Sequence, residues 1–428
     1  MPVRNIQILL LVMFVSVACC VQAERLKYAG KIGYAIGLIE QNYVEEVDPQ
    51  DLYVAAMQGI VSRLDQNSAF IPPQKYQEFQ EVIEQQFGGV GILIEGPPVV
   101  KRLTVVAPIL GSPAFEAGVQ PGDVILEING ESTEGLEAND ATSKMRGPVG
   151  APVTIKVQRM NSSETAVMTI IRADVQVDSV FGDHIQSDSK WNYFLEEDPR
   201  IAYIRVTLFG ERTTEEFRSA IEAVKDTAKA IVIDLRSNPG GILRSAVDMC
   251  DMLLDRGVIV STRGRNEQFG SERVADHDVL LPLGIPMVVL VNGDSASASE
   301  IMAACLKDSG RAMVAGQRSY GKGTVQQVFD LQDNQTAIKV TTAKFYRPNG
   351  KNIHRSENST ESDDWGVSPD PELLQLITPL EELYLYKRWN SRGDPRLTSA
   401  AEKPPAPQCE GDPQLSKVLK YLQGILKE

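Results

Sequence analysis

The chain is poor in the residues that most hydrolases recruit for metal or imidazole chemistry. Its 428 residues hold 3 histidines and 5 cysteines. His184, His277 and His354 form no His-Glu-x-x-His pair, which argues against a zinc hydrolase. Cys19 and Cys20 lie in an apolar leader. Cys250, Cys305 and Cys409 are far apart, odd in number and free of Cys-x-x-Cys spacing, so neither a disulfide framework nor a metal site is indicated. Cys250 and Cys305 fall in apolar helical patterns and read as small buried hydrophobes. Positive charge is also short: 43 Lys+Arg against 57 Asp+Glu leave a net charge of -14. That balance disfavours nucleic acid or an anionic membrane surface as the main partner. No apolar run is long enough for a comfortable membrane span. The run Ile8 to Ala18 follows Arg4 and precedes Val21-Gln22-Ala23, the pattern of an export signal with cleavage predicted after Ala23. An uncleaved anchor stays open. A lipoprotein reading at Cys19 and Cys20 fits poorly with Ser16-Val17-Ala18 before them. The expected location is periplasmic or otherwise extracytoplasmic.

What is present divides the chain into an α/β multidomain protein. Residues 1–23 are the predicted signal and 24–86 a helical region, with apolar positions at helical spacing over Ile32 to Tyr43 and Leu52 to Leu64. At Phe87 glycine turns and short alternating strands take over, up to residue 172. From 173 to 385 apolar strands alternate with helices, which predicts a mostly parallel buried sheet with covering helices. Residues 386–428 combine a Pro-, Ser- and Ala-rich linker with an amphipathic helix over Leu415 to Leu426.

Within the β-rich block, Ala117-Gly118-Val119-Gln120-Pro121-Gly122-Asp123-Val124-Ile125-Leu126-Glu127-Ile128-Asn129-Gly130 resembles the signature of PDZ domains of the bacterial protease type. Such domains add a peptide as an extra strand and hold its terminal carboxylate on backbone N–H groups. The resemblance makes Gly89-Val90-Gly91-Ile92 the carboxylate loop, where glycine lets main chain approach closely. The other reading of that segment is a plain hairpin turn. Arg146, closing the module's predicted helix, is either a further contact to a substrate carboxylate or a surface residue at a helix end.

Two other segments could do chemistry. The strand Val288 to Val291 runs through Asn292-Gly293-Asp294 into Ser295-Ala296-Ser297-Ala298-Ser299-Glu300 and a helix. A serine at a sheet edge beside a helix N-terminus can expose its Oγ near N–H groups suited to an oxyanion. Read locally, Ser297-x-x-Glu300 is also a capping box. The second segment is Ser319-Tyr320-Gly321-Lys322-Gly323-Thr324-Val325-Gln326. Gly316 to Lys322 imitates the start of a phosphate-binding loop, but Gly323 stands where Ser or Thr should bind magnesium, and a strand follows in place of a helix.

Together these segments resemble the carboxyl-terminal processing (tail-specific) proteases, which use a Ser/Lys dyad. Asp234-Leu235-Arg236-Ser237-Asn238-Pro239-Gly240-Gly241 and Gly366-Val367-Ser368-Pro369-Asp370 belong to the same resemblance. It implies a ClpP/crotonase-like core, Ser297 as nucleophile, Lys322 as general base and Gln326 as the residue orienting the lysine. Ala298 N–H and an N–H from Gly240 or Gly241, preferably Gly241, would form the oxyanion hole. Ser295 and Ser299 would be structural. A lysine, with a reference pKa of about 10.4, serves as a base only when its surroundings favour the neutral amine, and a neutral Gln suits that need better than an Asp. The implied partners are protein or peptide tails, with an adaptor or activator and a homodimer left open, and no cofactor is implied. One departure is Leu64-Asp65-Gln66-Asn67-Ser68-Ala69-Phe70, where the family usually reads Leu-Asp-Pro-His-Ser-x-Tyr. The alternatives of another class are a silent PDZ binding protein and a chaperone for exported proteins.

Overall fold

A computed structural model describes residues 27–96, 101–160, 162–265, 270–276, 279–331, 335–393 and 411–427, together with Met13. The expected cleavage site, Cys409 and most of the linker lie outside the described residues. The chain forms two compact units, one of residues up to Gln77 with Gln326–Thr341, the other of Glu78–Val325 with Thr342–Glu428.

In the first unit a helix over 27–42 is followed by the helix Pro49–Val61, which starts with Asp48 as its N-cap and a proline in its first turn. The strand Ala69–Ile71 then pairs antiparallel with residues 337–339 of the strand Ala337–Tyr346. The Asp65 carboxylate organises the turn before it, accepting from Asn67 N–H and from the Ser68 N–H and hydroxyl. Thr341 joins the same cluster, donating its hydroxyl to Asp65 and its N–H to Ser68 Oγ.

The second unit contains the β-rich module. Its strands Ile92–Glu95, Thr104–Pro108, Val124–Ile128, Pro152–Gln158 and Thr165–Ile171 form an antiparallel sheet, with Ile92–Glu95 at the edge. The alternating residues Val153, Ile155 and Val157 point inward to Val105, Ile125 and Ile128, as a period of two requires. The helix Ala138–Met145 packs over this core, and the Arg172 guanidinium caps it by donating to the carbonyls of Lys144 and Met145. The strands Gln86–Gly89 and Ala173–Gln176, which lead into and out of the module, pair antiparallel with each other.

The α/β part is built on a sheet in which Ile201–Val206, Ala230–Asp234, Met287–Val291 and Met313–Gly316 run parallel, with the short strand Val180–Phe181 antiparallel at one edge. The mostly parallel sheet expected from the sequence is therefore present. Helices Thr213–Val224, Leu243–Asp251 and Ala298–Asp308 cover one face. The C-terminal helix Pro413–Ile425 covers the other, setting Leu415, Val418, Leu419 and Leu422 against Tyr203, Val232, Val288 and Leu290. Cover on both faces explains why these strands read as unbroken apolar runs. Cys250 and Cys305 are buried free thiols in the helical layer.

A charged knot pins the C-terminal helix. Arg236 is fully buried; it donates to Asp234, Asp412 and Gln414. Asp412 is also the helix N-cap, accepting from Leu415 N–H. Burial pushes the Asp412 carboxyl up, yet Arg236 holds it below the ordinary carboxylate value. A depressed folded-state pKa adds stability that is present above about pH 4 and lost as the pH falls through that lower value. Asp412→Asn, which leaves a buried cation short of its counter-charge, should cost about 3 kcal/mol at pH 7. In thermal melts the gap between variant and wild type should close in acid.

Candidate active site

The site grows from the carboxyl ends of two neighbouring parallel strands. Ala230–Asp234 feeds the turn 235–241, and Met287–Val291 feeds the turn 292–297. Side chains lace the two turns together. Asn292 Oδ1 accepts from Ser237 N–H at 2.8 Å, and the Ser295 hydroxyl donates to Leu235 O at 2.8 Å. The Ser299 hydroxyl donates to Asn238 O at 2.9 Å, while Ala296 N–H donates to the same carbonyl. Ser295 and Ser299, fully buried, are thus spent on structure.

Ser297 differs from both. It is partly exposed and sits at φ 56° and ψ -113°, a region that non-glycine residues rarely occupy. A sharp, strained turn from strand to helix is how a serine hydroxyl is held out at the edge of a sheet. The turn 235–241 comes against it. A Cβ on Gly240, at φ 99°, would stand 2.8 Å from Ser297 Cβ and 2.9 Å from Ala298 N. Only glycine permits that approach. The Gly240 N–H is already donated to Asn238 Oδ1 at 2.9 Å. Around Gly241, the bonds to Phe209 use Gly240 O and Ile242 N, so among the described residues the Gly241 N–H has no acceptor.

Lys322 lies on a loop clamped from two sides. Arg355 N–H donates to Gly321 O at 2.8 Å, and the Asn352 amide donates to Gly323 O at 3.0 Å. A Cβ on Gly323 would be 2.5 Å from His354 N, and one on Gly321 would be 2.7 Å from Arg355 Cβ. The flanking glycines admit the segment 352–355. His354 is partly buried beside this loop. The turn after Pro348 folds it back.

Glu300 connects the serine turn to the lysine loop. This fully buried carboxylate accepts four hydrogen bonds. Oε1 takes the Ser319 hydroxyl and Gly321 N–H, each at 2.6 Å. Oε2 takes Ser297 N–H and Lys322 N–H, each at 2.8 Å. The backbone of the two candidate catalytic residues therefore meets on one oxygen atom. Burial pushes the Glu300 carboxyl up, and the hydrogen bonds led by Ser319 only partly offset it. The local pattern Ser-x-x-Glu gave a capping box; the wider role could be inferred only by asking what else a buried glutamate would bond. Gln326 lies on the strand Thr324–Asp330, in the unit that holds Thr341, and donates its amide to Thr341 Oγ1 at 3.1 Å.

The segment Gly89 to Ile92, the loop expected to meet a carboxylate, is held through its carbonyls. The carbonyls of Val90 and Gly91 are taken by the N–H groups of Ala114 and Ile109, and Ser112 also donates to Gly91 O. Among the described residues, no acceptor meets the N–H of Val90 or Gly91. A Cβ on Gly91, at φ 78°, would collide with Ser112. Gly89 closes the preceding strand, and Ile92 opens the edge strand facing the helix Ala138–Met145. Arg146 is engaged elsewhere: it pairs with Glu81 at 2.5 Å and lies over the Phe87 ring. Its charge is balanced within the protein.

A strained serine turn fused to a lysine loop, on an α/β sheet with a PDZ module, defines a class of serine peptidases. Comparison with known proteins agrees. The family model for peptidase family S41 matches residues 200–373, and a PDZ domain model matches 104–159. A carboxy-terminal-processing protease of Bartonella bacilliformis is 33% identical over 97% of this chain and 93% of its own length. A carboxyl-terminal-processing protease of Synechocystis is 30% identical over 81% of this chain and 77% of its own. A solved Bacteroides fragilis chain described as an S41 protease superposes with a TM-score of 0.52 at 15% identity, covering 92% of this chain and 97% of that one. The chain belongs to the carboxy-terminal-processing proteases of peptidase family S41.

Glu300→Gln keeps the shape but replaces one oxygen with a donor facing donors. Peptidase activity, as kcat/KM, should fall roughly 100-fold, about 2.7 kcal/mol, with the circular dichroism spectrum unchanged.

Proposed function

We propose that this serine peptidase acts outside the cytoplasm on protein C-terminal tails, with Ser297 as nucleophile and Lys322 as general base. The observation that carries the assignment is the convergence of the Ser297 and Lys322 amides on Glu300 Oε2. The neutral lysine amine removes the Ser297 hydroxyl proton as Oγ attacks the scissile carbonyl. The N–H groups of Gly241 and Ala298 receive the oxyanion. Collapse expels the amine product, which takes the proton from the lysine. Water, activated by the same amine, then hydrolyses the ester.

The PDZ module supplies the tail. Its edge strand Ile92–Glu95 offers main-chain pairing, and the N–H groups of Val90 and Gly91 suit a terminal carboxylate. The apolar leader supports export. Among the described residues, no helix is long and apolar enough to cross a membrane. An adaptor and a homodimer remain compatible with this reading.

Mass spectrometry of an unfolded protein with an apolar tail tests the assignment. Ser297→Ala and Lys322→Ala should abolish cleavage while leaving tail binding intact. Lys322→Arg keeps the charge but cannot give up its proton at working pH, so it should be equally inactive. Wild-type activity should rise with pH as the lysine becomes neutral. Cleavage surviving in Lys322→Arg, or lost in His354→Ala with folding intact, would reject the dyad.

A further inference from the structure

The second unit holds a cavity of about 800 Å³ to which the peptidase scheme assigns no ligand, although Leu93 of the module's edge strand lies on its wall. Its walls include Leu110, Phe181, Ile185, Trp191 and Trp389, and Arg205 projects among them. The Arg205 guanidinium stacks on Trp389, 3.6 Å from the ring centroid. Trp389 is fixed in turn, its Nε1 donating to Tyr203 Oη at 3.2 Å. Arg205 Nε is enclosed, and among the described residues it has no hydrogen-bond partner. Burial lowers the Arg205 pKa, and the field of Asp234 only partly offsets this.

Three of the carboxylates nearby are committed or poorly ionised. Asp234 spends its oxygens on Arg236 and Tyr203. Asp183 is shared between Arg388 and Arg392. Asp178, on the cavity wall, has its pKa raised by burial and by Glu216. Glu116 and Asp174 complete the acidic groups of the wall. An enclosed guanidinium N–H without an acceptor is costly, and an anion entering the cavity would relieve that cost.

A second feature names the kind of anion. Five consecutive residues, Ala173 to Val177, line the cavity. The strand Ala173–Gln176 pairs on one side with Gln86–Gly89, and among the described residues no strand covers its other edge. An open edge offers main-chain pairing to an extended peptide. We propose that this cavity binds the C-terminal end of a short apolar peptide, its carboxylate on Arg205 and its backbone along the edge of Ala173–Gln176. The volume suits about three residues. The choice of a peptide rests on the tail-protease reading; released tails are the natural supply.

The test uses the full chain carrying Ser297→Ala, so that nothing is cut. N-acetyl-Ala-Leu-Phe with a free carboxylate, its C-terminal amide and dodecanoate are titrated against tryptophan fluorescence, which Trp191 and Trp389 report from the cavity wall. The acid should bind at least tenfold more tightly than the amide and than dodecanoate. Adding Arg205→Met should bring the acid to the level of the amide. Because Arg205 Nε has no acceptor to lose and the methionine side chain can still pack on Trp389, this variant should melt close to its parent. Equal binding of acid and amide, or acid binding unaffected by Arg205→Met, overturns the site. Tightest binding of dodecanoate overturns the peptide as occupant. A marked fall in melting temperature makes Arg205 a structural cation and also overturns the proposal. The acid–amide comparison needs no Arg205 variant. Cleavage of unfolded protein is scored separately: an enzyme that cuts but has no acid-selective cavity rejects only this inference, and one that binds the acid but never cuts rejects only the tail-protease reading.

Discussion

The arrangement of the site depends on one buried carboxylate. Glu300 is fully buried, and its four hydrogen bonds come from three places: the serine turn, the hydroxyl of Ser319 and the lysine loop. Three of the four donors are backbone N–H groups, which no substitution at those positions other than proline removes. A carboxylate in the first turn of a helix also gains from the helix dipole, which offsets part of its desolvation. The result is a rigid joint between two segments that diverge in the chain. It lets the protein hold Ser297 in an unfavourable backbone conformation, since the surroundings over-determine that conformation.

Sheet topology supplies the other half of the constraint. The strands Ala230–Asp234 and Met287–Val291 are parallel neighbours, so their following turns emerge at the same end. Open α/β sheets place their sites in this position, beyond the carboxyl ends of the strands. Asn238 turns that proximity into geometry: its side chain accepts from Gly240 N–H and donates to Val206 O, and its own carbonyl receives Ala296 and Ser299. With Gly240 N–H occupied in this way, Gly241 N–H is the donor of this turn that meets no acceptor among the described residues.

Much of this was legible in the sequence, and what was not shares a cause. Apolar runs predicted the doubly covered sheet, and glycine turns with short alternating strands predicted the β-rich module. Both are local signals. Glu300 read as a capping residue because that pattern spans four positions, whereas its remaining donors lie 19 to 22 residues away. Arg146 read as either a substrate contact or a surface residue because Glu81, 65 residues earlier, carries no mark of pairing with it. The bond between Arg236 and Asp412 spans 176 residues. Long-range charge pairing leaves no periodicity, so it emerges only when the fold brings the partners together.

The two arginines near Trp389 show how differently one fold can treat buried positive charge. Arg236 has two carboxylates and an amide around it, and its pKa is raised well above the ordinary value, because ion pairing outweighs the burial that opposes it. Arg205 feels the same Asp234 but does not bond it, and burial wins. A structural cation is expected to resemble the first case, since leaving a guanidinium short of acceptors gains nothing for folding. The Arg236 knot is closed and holds the C-terminal helix. The Arg205 side chain is held over an indole, on a cavity wall shared with an open strand edge, with its Nε still to be satisfied. Those are the properties of a group fixed in advance for an anion that arrives from outside the chain.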